Sequence, residues 1–161
     1  MDRLWTPWRF DYISKVDQVD TCVFCKMLEE SRDIENHILY RGKKTFLVMN
    51  LFPYTSGHLL IVANRHISNL NEASEEELFE FILLCRHCEN ALGQEYHPNG
   101  FNMGFNVGRA AGAGIEQHLH MHVLPRWVGD SNFVSVVGET RIIPEELDTT
   151  YKRLVPYFKS F

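Results

Sequence analysis

The sequence has no run of about 18 apolar residues that could cross a bilayer as a helix. Its start, MDRLWTPWRFDYISKVD, has neither the basic end nor the continuous apolar stretch of a secretion signal. Positive charge is scarce as well: 16 Lys and Arg stand against 21 Asp and Glu, a formal net charge of −5. That balance leaves no electrostatic footprint for nucleic acid or for an anionic membrane surface. There are only four cysteines. Without an export signal they are expected in the cytoplasm, as free or metal-bound thiols rather than disulfides. No repeat, low-complexity tract or linker divides the 161 residues, so we expect one domain over 1–161, with residues 1–20 as an arm laid over it.

What is present alternates between helical and strand patterns. TCVFCKMLEES reads as a short helix with Thr21 or Asp20 as its N-cap. HILYRG and KTFLVMNLF, around a Gly42-Lys43 turn, read as a hairpin, and HLLIVANR as a third strand. Ser74 with Glu77 three residues later forms a capping box that opens a long helix, with apolar positions 78, 81, 82, 85, 88 and 92 at helical spacing. FNMGFNVG is a fourth strand, GRAAGAG a small-residue loop and HLHMHVL a fifth strand. PRWVGDSNF, a short strand and a helix beginning near Pro144 complete the chain. The order predicts an α+β meander with its helices on the outer side of the sheet.

Three of the eight histidines, His118, His120 and His122, stand at alternate positions of the fifth strand. Residues i, i+2 and i+4 of a strand share a face, so the three rings point the same way while Leu119, Met121 and Val123 face the other. Core packing alone seldom gathers three titratable rings. Two chemical readings follow. In one, all three ligate zinc and leave a position open for activated water; in the other, one neutral imidazole attacks phosphorus while its neighbours hold it, bind phosphate or serve structure.

The cysteines form two CxxC pairs that should not be read alike. Cys85 and Cys88 fall on the apolar stripe of the long helix, where small buried thiols are the simpler account, although a four-cysteine zinc site is conceivable. Cys22 and Cys25 lack the preceding strand of a redox motif, and a zinc reading needs two more ligands, best supplied by histidines.

HLHMHVL resembles the signature of the histidine triad (HIT) superfamily of nucleotidyl hydrolases and transferases. CVFCKML, VMNLFPYTSGHLLIVANRHISNL and FNVGRAAGAG are similar to that family's opening helix, central hairpin and approach to the triad. LWTPWR, PRWVGDSNF and TRIIPEEL resemble the bacterial and archaeal branch similar to diadenosine tetraphosphate phosphorylases. The resemblance covers nearly the whole chain. It implies a HIT-like fold, a five-stranded antiparallel sheet with a long helix and a C-terminal helix.

The same resemblance implies roles. His120 is the nucleophile that forms a covalent nucleotidyl-imidazole, its other nitrogen donating to the carbonyl of His118. His122 and His58 contact phosphate and assist the leaving group. Cys22, Cys25, His66 and His118 are the ligands of a structural zinc. Asn50 binds the ribose hydroxyls; Phe24, Met27, Val48 and Leu51 surround the base; Asn106 and the loop residues Gly112, Ala113 and Gly114 approach phosphate oxygens. Many relatives carry Ser or Thr where this chain has Ile115. Gln117 is a candidate replacement beside the leaving group, although strand parity turns it away from the histidines. His37, His87 and His97 match nothing.

The implied substrate is a dinucleoside polyphosphate of the diadenosine tetraphosphate kind. Phosphate as acceptor makes a phosphorylase; water makes a hydrolase of dinucleoside polyphosphates or nucleoside phosphoramidates. A nucleotide-binding sensor that does not turn over is the reading of another class. Magnesium can accompany the polyphosphate. The resemblance also implies a homodimer with a ten-stranded sheet, in which the LWTPWR arm either reaches the neighbouring site or clasps its own body.

Overall fold

A computed structural model of the protein describes residues 22–138 and 143–159. The expected arm over 1–20 and the Thr21 or Asp20 cap lie outside the described residues. Five antiparallel strands form one sheet: β1 (Ile38–Arg41), β2 (Thr45–Met49), β3 (Leu59–Ala63), β4 (Gly100–Phe105) and β5 (His120–Arg126). Among the described residues four helices accompany them: α1 (Val23–Glu29), α2 (Glu75–Tyr96), α3 (Phe133–Val136) and α4 (Leu147–Phe158).

The strand order is β1-β2-β3-β5-β4, which corrects the expectation of a simple meander. Leaving β3, the chain crosses one face of the sheet as α2 before entering β4, and β5 returns to fill the place between them. The side chains suit these places. β3 reads LLIVA and all five residues are buried, as a central strand requires. β4, GFNMGF, has no fully buried residue and carries two glycines and an Asn, which suits an edge.

The period-2 alternation sorts the core into two clusters. On one face Leu47, Met49, Leu59, Ile61, Leu119, Met121 and Val123 pack against α2 and α4. On the other, Phe46, Val48, Leu60 and Val62 pack against Phe24 and Met27 of α1. Helices therefore cover both faces, and α1 is the exception to the predicted arrangement. At the β1–β2 turn, Glu80 of α2 accepts from the Lys44 and Thr45 N–H groups and the Thr45 hydroxyl at 2.8–2.9 Å. A Cβ on Gly42 would collide with that carboxylate, so the turn needs glycine for close approach.

The Ser74–Glu77 capping box is present, and α2 ends at His97 in the left-handed region, φ 46°. The buried stripe of α2 differs from the predicted one: it runs through Phe81, Leu84, Cys85, Cys88, Ala91 and Leu92, while Ile82 is 60% exposed. Positions 81, 84, 88 and 91 share one helical face, and Ile82 lies about 100° away from Phe81. Of the segment after PRWVGDSNF that reads as a short strand, residues 134–138 instead complete the single turn α3, and 139–142 lie outside the described residues. Asn132 accepts from Val134 N–H while Ser135 Oγ accepts from Asn132 N–H, local bonds that favour a turn over a strand. Helix α4 starts at Leu147 rather than near Pro144 and buries Thr150, Leu154 and Phe158. Among the described residues, no helix is long and apolar enough to cross a membrane.

Candidate active site

β5 lies between β3 and β4, with His122 opposite Leu60 and Gly104, and His120 opposite Val62. The strand begins at His120. His118 lies just before it, yet the alternation persists, because Leu119 is tied to Ile67 and Ala63 by backbone hydrogen bonds and faces the α2 side. All three rings therefore gather on the α1 side. His120 and His122 have centroids 5.1 Å apart, and Phe24 of α1 lies 5.4 Å from both His118 and His120.

Hydrogen bonds fix which nitrogen of each ring carries the proton, since a carbonyl can only accept. His120 Nδ1 is 2.7 Å from the His118 carbonyl oxygen, so Nδ1–H donates and Nε2 keeps its lone pair. Burial lowers the His120 pKa, the carbonyl bond opposing the shift, so the neutral ring is favoured near pH 7. His118 Nε2–H donates to the Ala63 carbonyl at 2.7 Å, which leaves its Nδ1 lone pair facing Cys22 Sγ at 3.2 Å and Cys25 Sγ at 3.7 Å.

His58 extends the set. It is buried at the start of β3, after Gly57, whose φ of 74° and nearness to Leu92 exclude a Cβ. The Tyr54 N–H donates to His58 Nδ1 at 3.1 Å, and Asn50 Nδ2 reaches the same nitrogen at 3.2 Å. Asn50 is held in that orientation by the Phe52 N–H on its Oδ1, 3.0 Å. With Nδ1 an acceptor, His58 Nε2–H donates to His122 Nδ1 at 2.9 Å. The proton of His122 then sits on Nε2; the Asn106 Nδ2 lies 3.5 Å away and, a donor itself, does not accept that proton. The Tyr54 ring lies nearly parallel to His122, at 12°.

Four of the predicted metal ligands meet. The donor atoms of Cys22, Cys25, His66 and His118 all lie within 4.8 Å of one another, with His66 Nδ1 3.3 Å from Cys25 Sγ. Burial and the Cys22 thiol push Cys25 up to about 11. A cation among these donors would relieve that penalty, and two thiolates with two imidazoles suit a closed tetrahedral metal. Among the described residues this is the one such group, so the three histidines of the triad do not form a metal site by themselves. Cys85 and Cys88 are buried in the α2-side core, and burial raises both thiols. Magnesium has no carboxylate cluster of its own among the described residues.

Phe24, Met27 and Val48 are buried in the α1-side cluster, whereas Leu51 is 43% exposed and is not part of it. Ile115 packs partly against the same cluster, which accounts for an apolar side chain where a polar one was expected. Gln117 is exposed and sits in a turn ahead of β5, so strand parity does not govern it. Gly112 closes a 3-10 turn (Arg109–Ala111) in the left-handed region, φ 84°, and Ala113 and Gly114 follow it toward the triad. The unmatched histidines serve packing and caps: His37 meets Asp148 and Tyr151, and His87 Nε2 bonds the Tyr157 carbonyl.

Two contributors carried no sequence signal. Arg41, at the end of β1, donates to the Met27, Leu28 and Glu30 carbonyls at 2.8–3.0 Å and clamps the C-terminal end of α1, the helix carrying Phe24 and Cys25. Tyr54 acts on His58 through its backbone. A cleft of about 850 Å³ opens at His122 and Asn106 and continues past Leu124 to Arg126 and Trp127.

Comparison with known proteins places this architecture. The HIT domain family matches residues 31–128. The AP-4-A phosphorylase of Mycobacterium tuberculosis is 33% identical over 161 residues, covering 96% of this chain and 83% of that protein. The crystal structure of a Zn-bound histidine triad family protein from Mycobacterium smegmatis is similar with a TM-score of 0.69 at 25% identity, over 85% of this chain and 92% of that one. A hypothetical histidine triad nucleotide-binding protein from Sulfolobus tokodaii gives a TM-score of 0.69 at 25% identity, over 86% and 93%. In its sequence, in its sheet and in the placement of its histidines, this chain belongs to the HIT domain family.

Proposed function

We propose that the protein is a nucleotidyl transferase that cleaves dinucleoside polyphosphates through a covalent nucleotidyl-histidine on His120, with inorganic phosphate as acceptor. The observation that carries this reading is the 2.7 Å bond from His120 Nδ1–H to the His118 carbonyl in a buried setting. It leaves a neutral Nε2 lone pair aimed into the site. Nε2 attacks the α-phosphorus, an N–P bond forms and the P–O bond to the leaving polyphosphate breaks. The leaving oxygen takes the His122 Nε2 proton, which the His58 Nε2–H bond to His122 Nδ1 keeps in place. A phosphate oxygen then attacks the same phosphorus and the N–P bond breaks, releasing a nucleoside diphosphate.

The base lies against Phe24, Met27, Val48 and Leu51, the ribose against Asn50, and the phosphates against Asn106 and the Gly112–Gly114 backbone. Gln117, exposed on the turn before β5, is the polar side chain offered to the leaving group where Ile115 is apolar. Cys22, Cys25, His66 and His118 would hold zinc in a structural role, and a His118 side chain so anchored would steady the carbonyl that orients His120. The name of the M. tuberculosis relative favours phosphate over water. We further propose a single cytoplasmic domain that pairs as a homodimer.

Product analysis tests the acceptor. With diadenosine tetraphosphate and phosphate, ADP plus ATP is expected. AMP plus ATP, or two ADP, whether or not phosphate is present, makes the protein a hydrolase. Incubation with radiolabelled substrate should give an acid-labile, base-stable adduct; substrate binding without adduct or product would make the protein a sensor.

A further inference from the structure

We infer that Cys22 and Cys25 are a peroxide-sensitive pair, whose oxidation to a disulfide expels the zinc and slackens the support of His120. The inference rests on the zinc reading above and adds a modification of the ligands themselves. Access separates this pair from the other CxxC. Cys22 and Cys25 are half-buried, and Cys25 Sγ lies 3.3 Å from His66, an exposed side chain. Cys85 and Cys88 are 6% and 0% exposed, and Cys85 Sγ points at Met103 Sδ, 3.3 Å away. Backbone freedom separates them as well. Cys22 is the N-cap of α1 with a non-helical ψ of 123°, so it stands outside the helix that carries Cys25. Cys85 and Cys88 both lie inside the 22-residue α2, where the helical ladder fixes both backbones. The sulfurs of Cys22 and Cys25 are within 4.8 Å of each other, and a disulfide needs about 2 Å, a gap that a swing of Cys22 closes.

As metal ligands both sulfurs are thiolates, the nucleophilic form. One thiolate attacks hydrogen peroxide: an S–O bond forms, the O–O bond breaks and hydroxide leaves. The second thiolate attacks the resulting sulfenic acid: the S–S bond forms, the S–O bond breaks and a second hydroxide leaves. Two electrons pass from the sulfurs to the peroxide, and two solvent protons turn the hydroxides into water. A disulfide is no thiolate ligand, so of the four donors His66 and His118 remain, too few to hold the ion. The change reaches the reactive face by two routes. His118 loses the partner of its Nδ1, and the carbonyl of the same residue holds His120 Nδ1 at 2.7 Å. Phe24 stands between the cysteines in sequence and lies 5.4 Å from both His118 and His120, so drawing Cys22 toward Cys25 shifts a ring packed on the nucleophile. Arg41 holds the other end of α1 through the Met27, Leu28 and Glu30 carbonyls, so the movement falls on the first turn.

The test treats zinc-loaded protein with and without hydrogen peroxide beside a chromogenic zinc chelator, and maps thiols by alkylation and peptide mass. Peroxide should release one zinc per chain as a disulfide forms between Cys22 and Cys25, while Cys85 and Cys88 are still alkylated after denaturation. The melting temperature should fall. Turnover of diadenosine tetraphosphate should drop at least about tenfold, the lower range for loss of a group that orients a reactive side chain. Dithiothreitol with added zinc should restore zinc content, melting temperature and turnover together. Cys85→Ala/Cys88→Ala, which keeps the first pair alone, should release zinc at the wild-type rate. Zinc retained through the treatment, or released with Cys22 and Cys25 unlinked, overturns the pair and leaves the metal reading intact. A disulfide that leaves turnover unchanged overturns the link to His120. Protein purified without zinc overturns the metal reading, and this inference with it. Zinc release and thiol mapping read the pair whatever the acceptor or substrate proves to be.

Discussion

The two CxxC pairs have one spacing and two fates. Cys22 and Cys25, at the start of α1, stand beside His66 and His118 with all four donor atoms within 4.8 Å. Cys85 and Cys88, inside α2, are packed among Phe81, Leu84 and Leu92 on the opposite face of the sheet. The motif is identical; what differs is the face. Strand alternation sends His118, His120 and His122 toward α1 and Leu119, Met121 and Val123 toward α2, so one face carries every candidate reactive side chain and the other carries the main core. A CxxC becomes chemical only when the fold brings further donors to it.

Metal stoichiometry separates the pairs most sharply. Purified wild type should carry one zinc per chain by elemental analysis. Cys22→Ala should lose it together with much of the stability, since a structural zinc contributes on the order of 10 kcal/mol where folding depends on it. Cys88→Ala should keep the zinc and cost only about 1 kcal/mol in denaturant unfolding, as expected for a small core truncation. Zinc retained in Cys22→Ala, or lost in Cys88→Ala, would break the distinction. Next in size comes the same contrast within β5. His120→Ala should lower turnover by at least about 10³-fold with an unchanged melting temperature. Met121→Ala, one residue on and facing α2, should cost about 2–4 kcal/mol of stability and leave the chemistry of the folded fraction intact.

These contrasts follow features that could be read from residues alone. The alternation of the histidines, the Ser74–Glu77 cap and the CxxC spacing are local, and local geometry converts them directly into faces and ends of elements. His58 and His66, single histidines in a turn and after a strand, became interpretable only through family resemblance. Other parts of the site depend on how distant segments meet. Arg41 clamps α1 because β1 ends beneath that helix's C-terminus. Tyr54 fixes His58 through a backbone N–H, which leaves no mark on side-chain identity. The insertion of β5 between β3 and β4 follows from the crossover of α2, a choice of topology that periodicity does not record. Periodicity puts Ile82 on the buried stripe of α2 although it is exposed, because an apolar residue at the edge of a helical face looks the same in sequence whichever way the helix rotates.

The two faces are coupled at Arg65. It precedes the predicted zinc ligand His66, and its guanidinium bonds both carboxylate oxygens of Glu77 at 2.7–2.8 Å, at the N-terminus of α2. Arg65 and the capping bond from Ser74 N–H hold Glu77 near 2, against burial, which acts to raise it. A carboxylate with a depressed folded pKa contributes stability that is full above its unfolded value of about 4.3 and is lost as pH falls through about 2. Glu77→Gln should therefore cost about 2 kcal/mol at neutral pH, as loss of a charge-assisted bond does, and should flatten stability between about pH 4 and pH 2. Chemical unfolding at several pH values reads both. An unchanged pH slope in the variant would mean that the two faces are stabilised independently at this corner.

The smallest expected effect concerns Asn50, the residue that joins the predicted ribose contact to the relay. In the wild type, the Tyr54 N–H donates to His58 Nδ1 and the Asn50 amide nitrogen lies against the ring, 3.2 Å from Nδ1 and 3.4 Å from Nε2, so the neutral ring carries its proton on Nε2 and gives it to His122. Asn50→Asp replaces one donor by an acceptor. The carboxylate draws a proton to Nδ1, and when the ring is neutral Nε2 becomes a lone pair facing His122 Nδ1. His122 must then turn its own proton inward and has none for the leaving group. At acid pH the doubly protonated His58 still donates through Nε2, so turnover is preserved there. As pH rises and the ring loses one proton, turnover should fall about tenfold below wild type, the lower end of a general-acid contribution. Asn50→Ala removes the donor without adding an acceptor and should lower turnover severalfold at every pH, because the Tyr54 N–H still fixes the tautomer. A ribose contact alone would raise KM in both variants by similar amounts and leave the pH profile of kcat where it was. An alkaline limb in Asn50→Asp that Asn50→Ala lacks therefore assigns this amide to the reactive face through His58 as well as through the nucleotide.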